Sequence, residues 1–274
     1  MLEKIKESAT FIKSKVSIEP EVGIILGTGL GGLVHSIENQ EVIDYRDIPS
    51  FPLSTVEGHS GRLIFGTLGG KKVVAMQGRF HYYEGYDMQQ VTFPVRVMKF
   101  LNVKYLFVSN ASGGMNPAFA VGDLMIITDH INLLPNPLIG KNLDELGPRF
   151  PDMSEPYSKP LAALCESVAG KLGVKVQKGC YVGVTGPTFE TPKEYGYFRR
   201  IGADAVGMST VPEVIVARHM SIPVFAMSII TDLGGEDIAM TVSHEEVQRE
   251  GAKAEKKMTQ IMTGMLQELP AQLS

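Results

Sequence analysis

The chain has 274 residues, a formal net charge of −4 and a hydrophobic share of 44%, enough for one large domain with its own core. This composition excludes a disordered protein. The mildly acidic balance argues against a nucleic-acid partner, and no apolar run approaches the roughly 18 residues that a membrane-spanning helix needs.

The N-terminus and the cysteines bear on the cellular compartment. Residues 1–15 are charged and helix-like, with no apolar stretch before a cleavage site, so they do not resemble a secretion signal. The two cysteines, Cys165 and Cys180, are too few to cross-link a chain of this length and lack the spacing of metal ligands. We therefore expect a cytoplasmic protein with reduced thiols, no membrane partner and no metal.

Along the chain, apolar runs alternate with segments of helical period. The apolar runs predict strands over residues 22–26, 62–68, 72–77, 105–108, 124–128, 205–208 and 224–230. Helical spacing covers residues 89–101, with Pro94 as a kink or a late first-turn residue, and segments that begin at Ser158, Thr191, Thr210 and Ser243. The last three begin with Ser/Thr-x-x-Glu, which predicts capping boxes. This alternation predicts an α/β fold that forms a single domain over residues 1–274.

Polar residues are expected at the carboxyl ends of several predicted strands. They are Thr28, Asn110, Glu190, Ser209 and Asp232. In open α/β sheets, ligands bind at this edge, outside the carboxyl ends of the strands. The pattern therefore predicts an enzyme whose active site lies along that edge.

A glycine-rich segment, Gly-Thr-Gly-Leu-Gly-Gly, occupies residues 27–32 directly after the first strand. Such a turn lets backbone N–H groups approach a phosphate, with the Thr28 hydroxyl as a further donor. A bare structural turn explains the glycines equally well, and Asp44 as a ribose-binding acid keeps a dinucleotide-binding dehydrogenase open. A Walker A nucleotide site is excluded because no Gly-Lys-Ser/Thr follows.

A denser motif, Gly-Arg-Phe-His-Tyr-Tyr-Glu-Gly, occupies residues 78–85. Arg79 carries a planar fork of N–H donors suited to phosphate, and His81 adds a donor on the same side of an extended segment. A solvated loop is the usual explanation of an isolated Arg-x-His. Here the flanking glycines, the aromatic residues and Glu84 favour an anion site.

Other candidate residues have ordinary explanations when each is taken alone. His59 lies between glycines in a loop, and His244 lies at the start of the last predicted helix. Met208 is a typical core residue, while Glu190 and Asp232 are typical of a helix N-terminus and a turn. None of the six histidines has the spacing of a metal site.

Together these motifs carry a resemblance to a known family. They are GTGLGGL (27–33), STVEGHSG (54–61), MQGRFHYYEGY (76–86), VSNASGGMNP (108–117), RFPDMSEPY (149–157), GPTFETP (186–192), GADAVGMSTVPE (202–213) and VSHEEV (242–247). Almost from end to end, the chain resembles purine nucleoside phosphorylases of the homotrimeric, low-molecular-mass class. The resemblance implies a twisted mixed β-sheet flanked by α-helices, no metal or organic cofactor, inorganic phosphate as co-substrate, and an active site completed by a neighbouring subunit.

The resemblance also implies a role for each motif residue. The phosphate would be held by Thr28, His59, Arg79, His81, the backbone amide of Ala111, and Ser209. The sugar would contact Tyr83, Met208, His244 and, lent by the adjacent subunit, Phe150. The purine would be surrounded by Phe189, Glu190, Val206 and Asp232.

The chemistry of phosphorolysis is consistent with these roles. Breaking an N-glycosidic bond develops positive charge on the ribosyl carbon and negative charge on the departing purine. A bound phosphate stabilises the first charge, and a hydrogen bond or proton at purine N7 stabilises the second. The catalytic candidates are His81 and Glu84 at the phosphate and Asp232, which the resemblance places near N7. Glu84 would orient His81 or the substrate hydroxyls.

Asp232 departs from the family pattern, which has asparagine at this position. Asparagine can donate hydrogen bonds to both N7 and a 6-oxo group, whereas an ionised aspartate only accepts. Aspartate is typical of the related methylthioadenosine phosphorylases, which act on 6-aminopurines but lack the glutamate found here as Glu190. A glutamate there suits the N–H groups of hypoxanthine or guanine. Protonation of Asp232 in a desolvated pocket would reconcile the two residues.

The first hypothesis is reversible phosphorolysis of purine (deoxy)ribonucleosides, above all inosine and guanosine, to free base and (deoxy)ribose 1-phosphate in purine salvage. One alternative is a phosphorylase of 6-aminopurine nucleosides such as adenosine or methylthioadenosine. Others are a dinucleotide-binding dehydrogenase and a non-catalytic nucleoside sensor.

Overall fold

The computed structural model describes residues 1–28, 30–56, 60–235 and 243–270. Its strands are β1 (Val22–Leu26), β2 (Glu38–Asp44), β3 (Arg62–Leu68), β4 (Lys71–Gln77), β5 (Tyr105–Gly114), β6 (Leu124–Asn132), β7 (Val176–Gly183), β8 (Ala205–Gly207) and β9 (Val224–Leu233). Its α-helices are α1 (Leu2–Lys15), α2 (Met88–Val91), α3 (Phe93–Phe100), α4 (Lys159–Lys171), α5 (Pro192–Arg200), α6 (Val211–His219) and α7 (His244–Glu268).

Within these residues, the strands form one mixed sheet in the order β2-β3-β4-β1-β5-β8-β7-β6-β9. β9 also pairs with β5, so the part of the sheet from β5 to β9 closes on itself. β1 is parallel to both β4 and β5, whereas the β3–β4 hairpin and the β5–β8 pair are antiparallel. The predicted α/β fold with a mixed sheet is confirmed.

Helices cover both faces of the sheet because the central strands are apolar on both sides. All five residues of β1 are buried. Two consecutive residues of this strand, Ile24 and Ile25, point to opposite faces of the sheet and belong to two different core clusters. The cluster of Ile25 contains residues of α1, α3 and α6, and the cluster of Ile24 contains residues of α4 and α7. No helix in the described part of the chain is long and apolar enough to cross a membrane.

Two strands extend further than their sequences predicted. β5 continues to Gly114 and β9 to Leu233, so Asn110 and Asp232 lie within strands instead of after them. The two segments are hydrogen-bonded to each other in parallel, with an irregularity after Ser112. The backbone pairing therefore overrides the polar residues that suggested loops and holds both side chains on a rigid frame.

The predicted helix over residues 89–101 is interrupted at Thr92 and forms α2 and α3. Pro94 lies in the first turn of α3, where its missing N–H removes no helical hydrogen bond. The break is therefore a new helix start, so the first-turn alternative for Pro94 is confirmed and the kink is wrong.

Helix capping follows the sequence at three of four predicted sites. Ser158, Thr191 and Ser243 accept hydrogen bonds from the backbone N–H groups at the third helical position. Thr210 does not: its side chain makes no capping bond, and its backbone has the unusual angles φ 70° and ψ −55°. The capping box predicted for Thr210–Glu213 is wrong, and both side chains have other partners, described below.

Candidate active site

A cavity of about 550 Å³ opens at the edge of the sheet where the sequence predicted a ligand site. Of the predicted site residues, the following line it: Thr28, Arg79, His81, Tyr83, Glu84, Ala111, Phe189, Glu190, Val206, Met208, Ser209, Asp232 and His244. They come from the segments after β1 and β4, from β5 and β9, from the loop between β7 and α5, from β8 and the turn after it, and from the start of α7. The fold therefore brings together residues that are dispersed over most of the chain.

A buried guanidinium defines one end of the cavity. Arg79 is 1% exposed, and its Nε lies 3.1 Å from Oε1 of Glu213 in the first turn of α6. Its Nη1 donates to the carbonyl of Ser109 and to Oγ of Ser209, both at 3.0 Å. Because Glu213 and the Ser109 carbonyl fix the orientation of the guanidinium, Arg79 can present donors to an anion beside Ser209. We call Arg79 and Ser209 the cationic end.

A network of buried hydroxyl and amide groups is connected to Ser209 of the cationic end. Asn110 Nδ2 donates to Thr210 Oγ1 at 2.7 Å, and Ser228 Oγ donates to Asn110 Oδ1 at 2.5 Å. Thr210 Oγ1 also lies 3.2 Å from Ser209 Oγ. The strained backbone at Thr210 thus places its hydroxyl in a network between β5 and β9.

We expect Thr210→Val to lower the free energy of unfolding by about 1–3 kcal/mol, because the buried amide of Asn110 would lose its acceptor. Valine has the shape of threonine, so backbone strain and packing stay the same. Urea unfolding measures the effect, with Thr210→Ser as the control that keeps the hydroxyl. Equal stabilities of the valine variant and the wild type would contradict this account.

His81 and Glu84 form a second polar unit beside Arg79. Glu84 Oε1 accepts from the backbone N–H of His81 at 2.7 Å and lies 2.9 Å from His81 Nδ1. Burial alone would raise the pKa of Glu84, but hydrogen bonds from His81 and Thr55 outweigh it and leave that pKa below its ordinary value. Glu84 is therefore an ionised acceptor, and its position supports the predicted orientation of His81.

The proton on His81 follows from this contact. Since a carboxylate can only accept, Nδ1 of His81 carries the hydrogen. Burial lowers the pKa of His81, although Glu84 partly offsets the effect, and the lowered pKa favours the neutral ring. In the neutral ring the other nitrogen is an acceptor, whereas the sequence predicts a donor to phosphate, and that donor role stays a prediction. Tyr83 stacks on the imidazole with ring centroids 4.6 Å apart, which further fixes its plane.

Two acids define the opposite functional part of the cavity, which we call the acidic end: Glu190 and Asp232. Burial raises the pKa of Glu190, and the nearby charge of Asp232 raises it further. Burial also raises the pKa of Asp232, although hydrogen bonds from Thr231 and Tyr195 partly offset this. Two desolvated carboxyls in one cavity favour protonation of at least one of them near neutral pH.

Comparisons with known proteins agree with this geometry. The phosphorylase superfamily matches residues 21–267. Purine nucleoside phosphorylase 1 of Bacillus subtilis is 54% identical over 248 residues, which are 90% of this chain and 92% of that protein. The purine nucleoside phosphorylase of Bos taurus is 46% identical over 276 residues, 98% of this chain and 96% of the other. The chain belongs to the purine nucleoside phosphorylase family.

Solved structures of family members have the same fold. The purine nucleoside phosphorylase of Schistosoma mansoni in complex with inosine superimposes with a TM-score of 0.94 and 44% identity, covering 98% of both chains. The same enzyme in complex with adenosine gives a TM-score of 0.95 and 45% identity, again over 98% of both chains. The single-domain architecture with a mixed sheet is therefore that of the purine nucleoside phosphorylase family.

Membership of this family overturns the dehydrogenase hypothesis, and the fold explains why. The glycine-rich turn leads into a short 3₁₀ helix, Gly31–Ser36, and then to β2 at the edge of the sheet, antiparallel to β3. A dinucleotide-binding unit needs an α-helix and a parallel second strand next to β1. Asp44 is exposed at the end of β2 and is not among the residues that line the cavity.

Two backbone N–H groups among the described residues of the glycine-rich turn have partners within the chain. The backbone N–H of Gly32 donates to the carboxylate of Glu255 on α7, and that of Leu30 donates to the Gly27 carbonyl at 3.1 Å. The Glu255 carboxylate is thus the hydrogen-bond acceptor for a backbone N–H group at the start of the 3₁₀ helix. Of the described residues in the motif, Thr28 lines the cavity.

Phe150, which the resemblance assigns to the site of a neighbouring subunit, does not reach the cavity of its own chain. Phe150 is 88% exposed and lies outside the lining, with the Arg149 guanidinium 5.8 Å from its ring. His59 lies outside the described residues. Among the described residues, no group of three or more His, Cys, Asp or Glu side chains could hold a metal ion.

Sequence reasoning missed Glu213 and Tyr195 as site residues. The motif Thr210–Glu213 was interpreted as a capping box, whereas Glu213 is the ion-pair partner of Arg79. Tyr195 follows the true capping box of α5, and its hydroxyl lies 3.3 Å from Oδ2 of Asp232. Helical spacing after Glu190 could have placed Tyr195 about one turn into α5, facing inward.

Proposed function

We propose that this chain catalyses the reversible phosphorolysis of purine (deoxy)ribonucleosides, above all inosine and guanosine, to free base and (deoxy)ribose 1-phosphate in purine salvage. The observation that carries the proposal is one cavity with a buried arginine at its cationic end and two desolvated acids at its acidic end. Phosphate and purine are the ligands that suit these ends. The names of the Bacillus and Schistosoma relatives, one of them in complex with inosine, support it.

At the cationic end, Arg79 and Ser209 would donate hydrogen bonds to phosphate, joined by Thr28, the backbone amide of Ala111 and His59. His81, neutral and oriented by Glu84, would accept a hydrogen bond from the protonated oxygen of hydrogen phosphate. This arrangement turns an unprotonated phosphate oxygen towards the sugar.

At the acidic end, the ionised carboxylate of Glu190 would accept hydrogen bonds from the N–H groups of hypoxanthine or guanine. Asp232, with its raised pKa, would donate a proton or hydrogen bond to N7 as the glycosidic bond breaks. Negative charge that develops on the purine is thereby neutralised in the transition state. The remaining purine contacts would be Phe189 and Val206.

The ribosyl group would lie between the two ends, against Tyr83 and Met208, with His244 at the 5′-hydroxyl. We further propose a homotrimer in which Phe150 of a neighbouring subunit covers the sugar. The ring of this phenylalanine is 88% exposed, which leaves it available for contact with a neighbouring subunit. Sedimentation equilibrium measures the mass in solution, and a monomer would refute the trimer.

No organic cofactor or metal is part of the proposed reaction, and phosphate is a co-substrate. We place the enzyme in the cytoplasm because neither cysteine forms a disulfide within the described residues. Burial raises the pKa of the Cys165 thiol to about 12 and that of Cys180 to about 11, so neither is a reactive thiolate at neutral pH.

The test is incubation of the purified protein with inosine, with and without phosphate, followed by chromatography of the bases. We expect hypoxanthine to form only with phosphate, together with ribose 1-phosphate. Release without phosphate would indicate a hydrolase, and binding without turnover would indicate a nucleoside sensor.

A preference for 6-aminopurine nucleosides is the second candidate, because a protonated Asp232 offers one donor and one acceptor. Adenine presents an acceptor at N7 and a donor at its 6-amino group, which match these two functions. The Schistosoma relative in complex with adenosine supports binding of such a nucleoside in this family. Comparison of kcat/KM for inosine, adenosine and methylthioadenosine decides between the two candidates.

A further inference from the structure

Tyr195 lies where it contacts both acids of the acidic end. It is 6% exposed on α5, and its hydroxyl lies 3.3 Å from Oδ2 of Asp232. The pKa of Glu190 is raised by burial, and the Tyr195 side chain acts in the opposite direction and lowers it, so the hydroxyl also acts on that carboxyl. Thr231 Oγ1 donates to the other oxygen of Asp232 at 2.9 Å. Tyr195 therefore connects two carboxyls that belong to different elements of the fold.

Close packing keeps the tyrosine ring in this position. A Cβ atom at Gly234 would lie 2.1 Å from Cζ of Tyr195, and one at Gly113 would lie 2.9 Å from both the Tyr195 hydroxyl and Asp232 Oδ2. The ring thus fills space that two glycines leave open beside β5 and β9. Because the ring cannot swing away, its hydroxyl stays between the two carboxyls.

A tyrosine hydroxyl has one proton to donate, and here it faces two carboxyl groups. When Tyr195 donates its proton to Asp232, the favourable arrangement has a protonated Glu190 that donates to the tyrosine oxygen. When Tyr195 donates to Glu190 instead, a protonated Asp232 donates to the tyrosine oxygen. Two ionised carboxylates around one O–H leave one of them without a donor and repelled by the other.

We propose that Tyr195 is a positioning residue that makes Glu190 and Asp232 act as one coupled pair towards the purine. The proposal rests on the proposed function. In this coupled pair, the Tyr195 hydroxyl sets which carboxyl holds the proton, so that the purine meets one hydrogen-bond acceptor and one donor. No covalent step is added to the reaction.

Other charged groups near the pair are few in the described part of the chain. Glu246 on α7 adds negative charge near Asp232, and Glu194 on α5 adds it near Glu190. His244, at the start of α7, lines the same cavity. The cation of Arg79 lies at the cationic end. The neighbouring charges on both acids are negative, so only hydrogen bonds favour their ionised forms. Thr231 and then Tyr195 favour ionised Asp232, and a backbone N–H and then Tyr195 favour ionised Glu190.

The experiment compares Tyr195→Phe with the wild type and with Tyr197→Phe, a control on the same helix whose side chain is 52% exposed. Phosphorolysis of inosine is measured from about pH 5 to pH 9 at saturating phosphate, and hypoxanthine binding is measured by calorimetry over the same range. Thr231→Val is a further variant that removes the other donor to Asp232.

Loss of the tyrosine hydroxyl withdraws a donor from both ionised acids and should raise the pKa of each. We therefore expect both limbs of the pH profile of kcat/KM to move to higher pH in Tyr195→Phe. The inosine KM should rise by about tenfold, with the phosphate KM unchanged. Thr231→Val should move only the alkaline limb, which reports Asp232, and Tyr197→Phe should move neither.

A folded Tyr195→Phe enzyme with an unshifted profile and unchanged hypoxanthine affinity would overturn the proposal, even if its kcat were uniformly lower. If the wild type lacks phosphate-dependent turnover, the proposed function fails, and the pH dependence of hypoxanthine binding still tests the coupled pair. Identical pH dependence in Tyr195→Phe and the wild type would then refute it.

Discussion

Replacing Arg79 with methionine is expected to lower kcat/KM for phosphate by about 10³-fold or more. The guanidinium is 1% exposed and oriented by Glu213 and the Ser109 carbonyl, so its charge acts in a site from which water is largely excluded. No other arginine or lysine lines the described cavity, so the loss has no substitute there. Steady-state kinetics at varied phosphate, with inosine saturating, measures it.

The same change leaves the buried charge of Glu213 without its ion-pair partner, which by itself destabilises a fold by about 3–5 kcal/mol. The control is therefore the double variant Arg79→Met with Glu213→Gln, which removes both charges. We expect this variant to regain most of the lost stability in urea unfolding but none of the activity. A folded double variant within tenfold of the wild-type kcat/KM would contradict the role of Arg79.

The second large effect concerns the choice of base. We expect Asp232→Asn to raise the ratio of kcat/KM for inosine to that for adenosine by about 10- to 100-fold. An asparagine amide carries two donors, which suit the N7 and O6 acceptors of hypoxanthine, whereas a protonated aspartate offers one donor and one acceptor. Initial rates with both nucleosides at the same phosphate concentration measure the ratio.

The pH dependence supplies an independent check on Asp232. Burial raises its pKa, and a reaction that needs the protonated carboxyl loses activity as the pH rises through that value. Asparagine does not titrate, so the alkaline limb due to Asp232 should be absent in Asp232→Asn, while the phosphate KM stays unchanged. Equal effects on inosine and adenosine, or an unaltered alkaline limb, would remove Asp232 as the residue that discriminates the bases.

Site residues that lie close together in the sequence could be predicted without a structure. Arg79, His81 and Glu84 lie in one short motif, and their residue types indicate an anion site whatever the rest of the chain does. The α/β class likewise followed from local patterns, because apolar runs and helix caps are properties of a few consecutive residues. Ser158, Thr191 and Ser243 confirm that capping is largely a local property.

Contacts between distant segments could not be predicted in this way. Glu213 is 134 positions from Arg79, and its spacing to Thr210 is equally typical of a capping box. The glycine-rich turn had the pattern of an anion loop, but Glu255, more than 200 positions away, occupies its Gly32 amide. Such pairs depend on how the closed sheet brings separate loops together, which no local pattern records.

The sequence by itself determined the family resemblance, the α/β class and most of the side chains that line the cavity, because these depend on residue type and local spacing. The tertiary structure alone decided their burial and partners: His81 is buried and held by Glu84, with a lowered pKa, and Asp232 has the Tyr195 hydroxyl as a partner. The physical reason is that burial and neighbouring charges set a pKa, and both arise only when remote segments pack together.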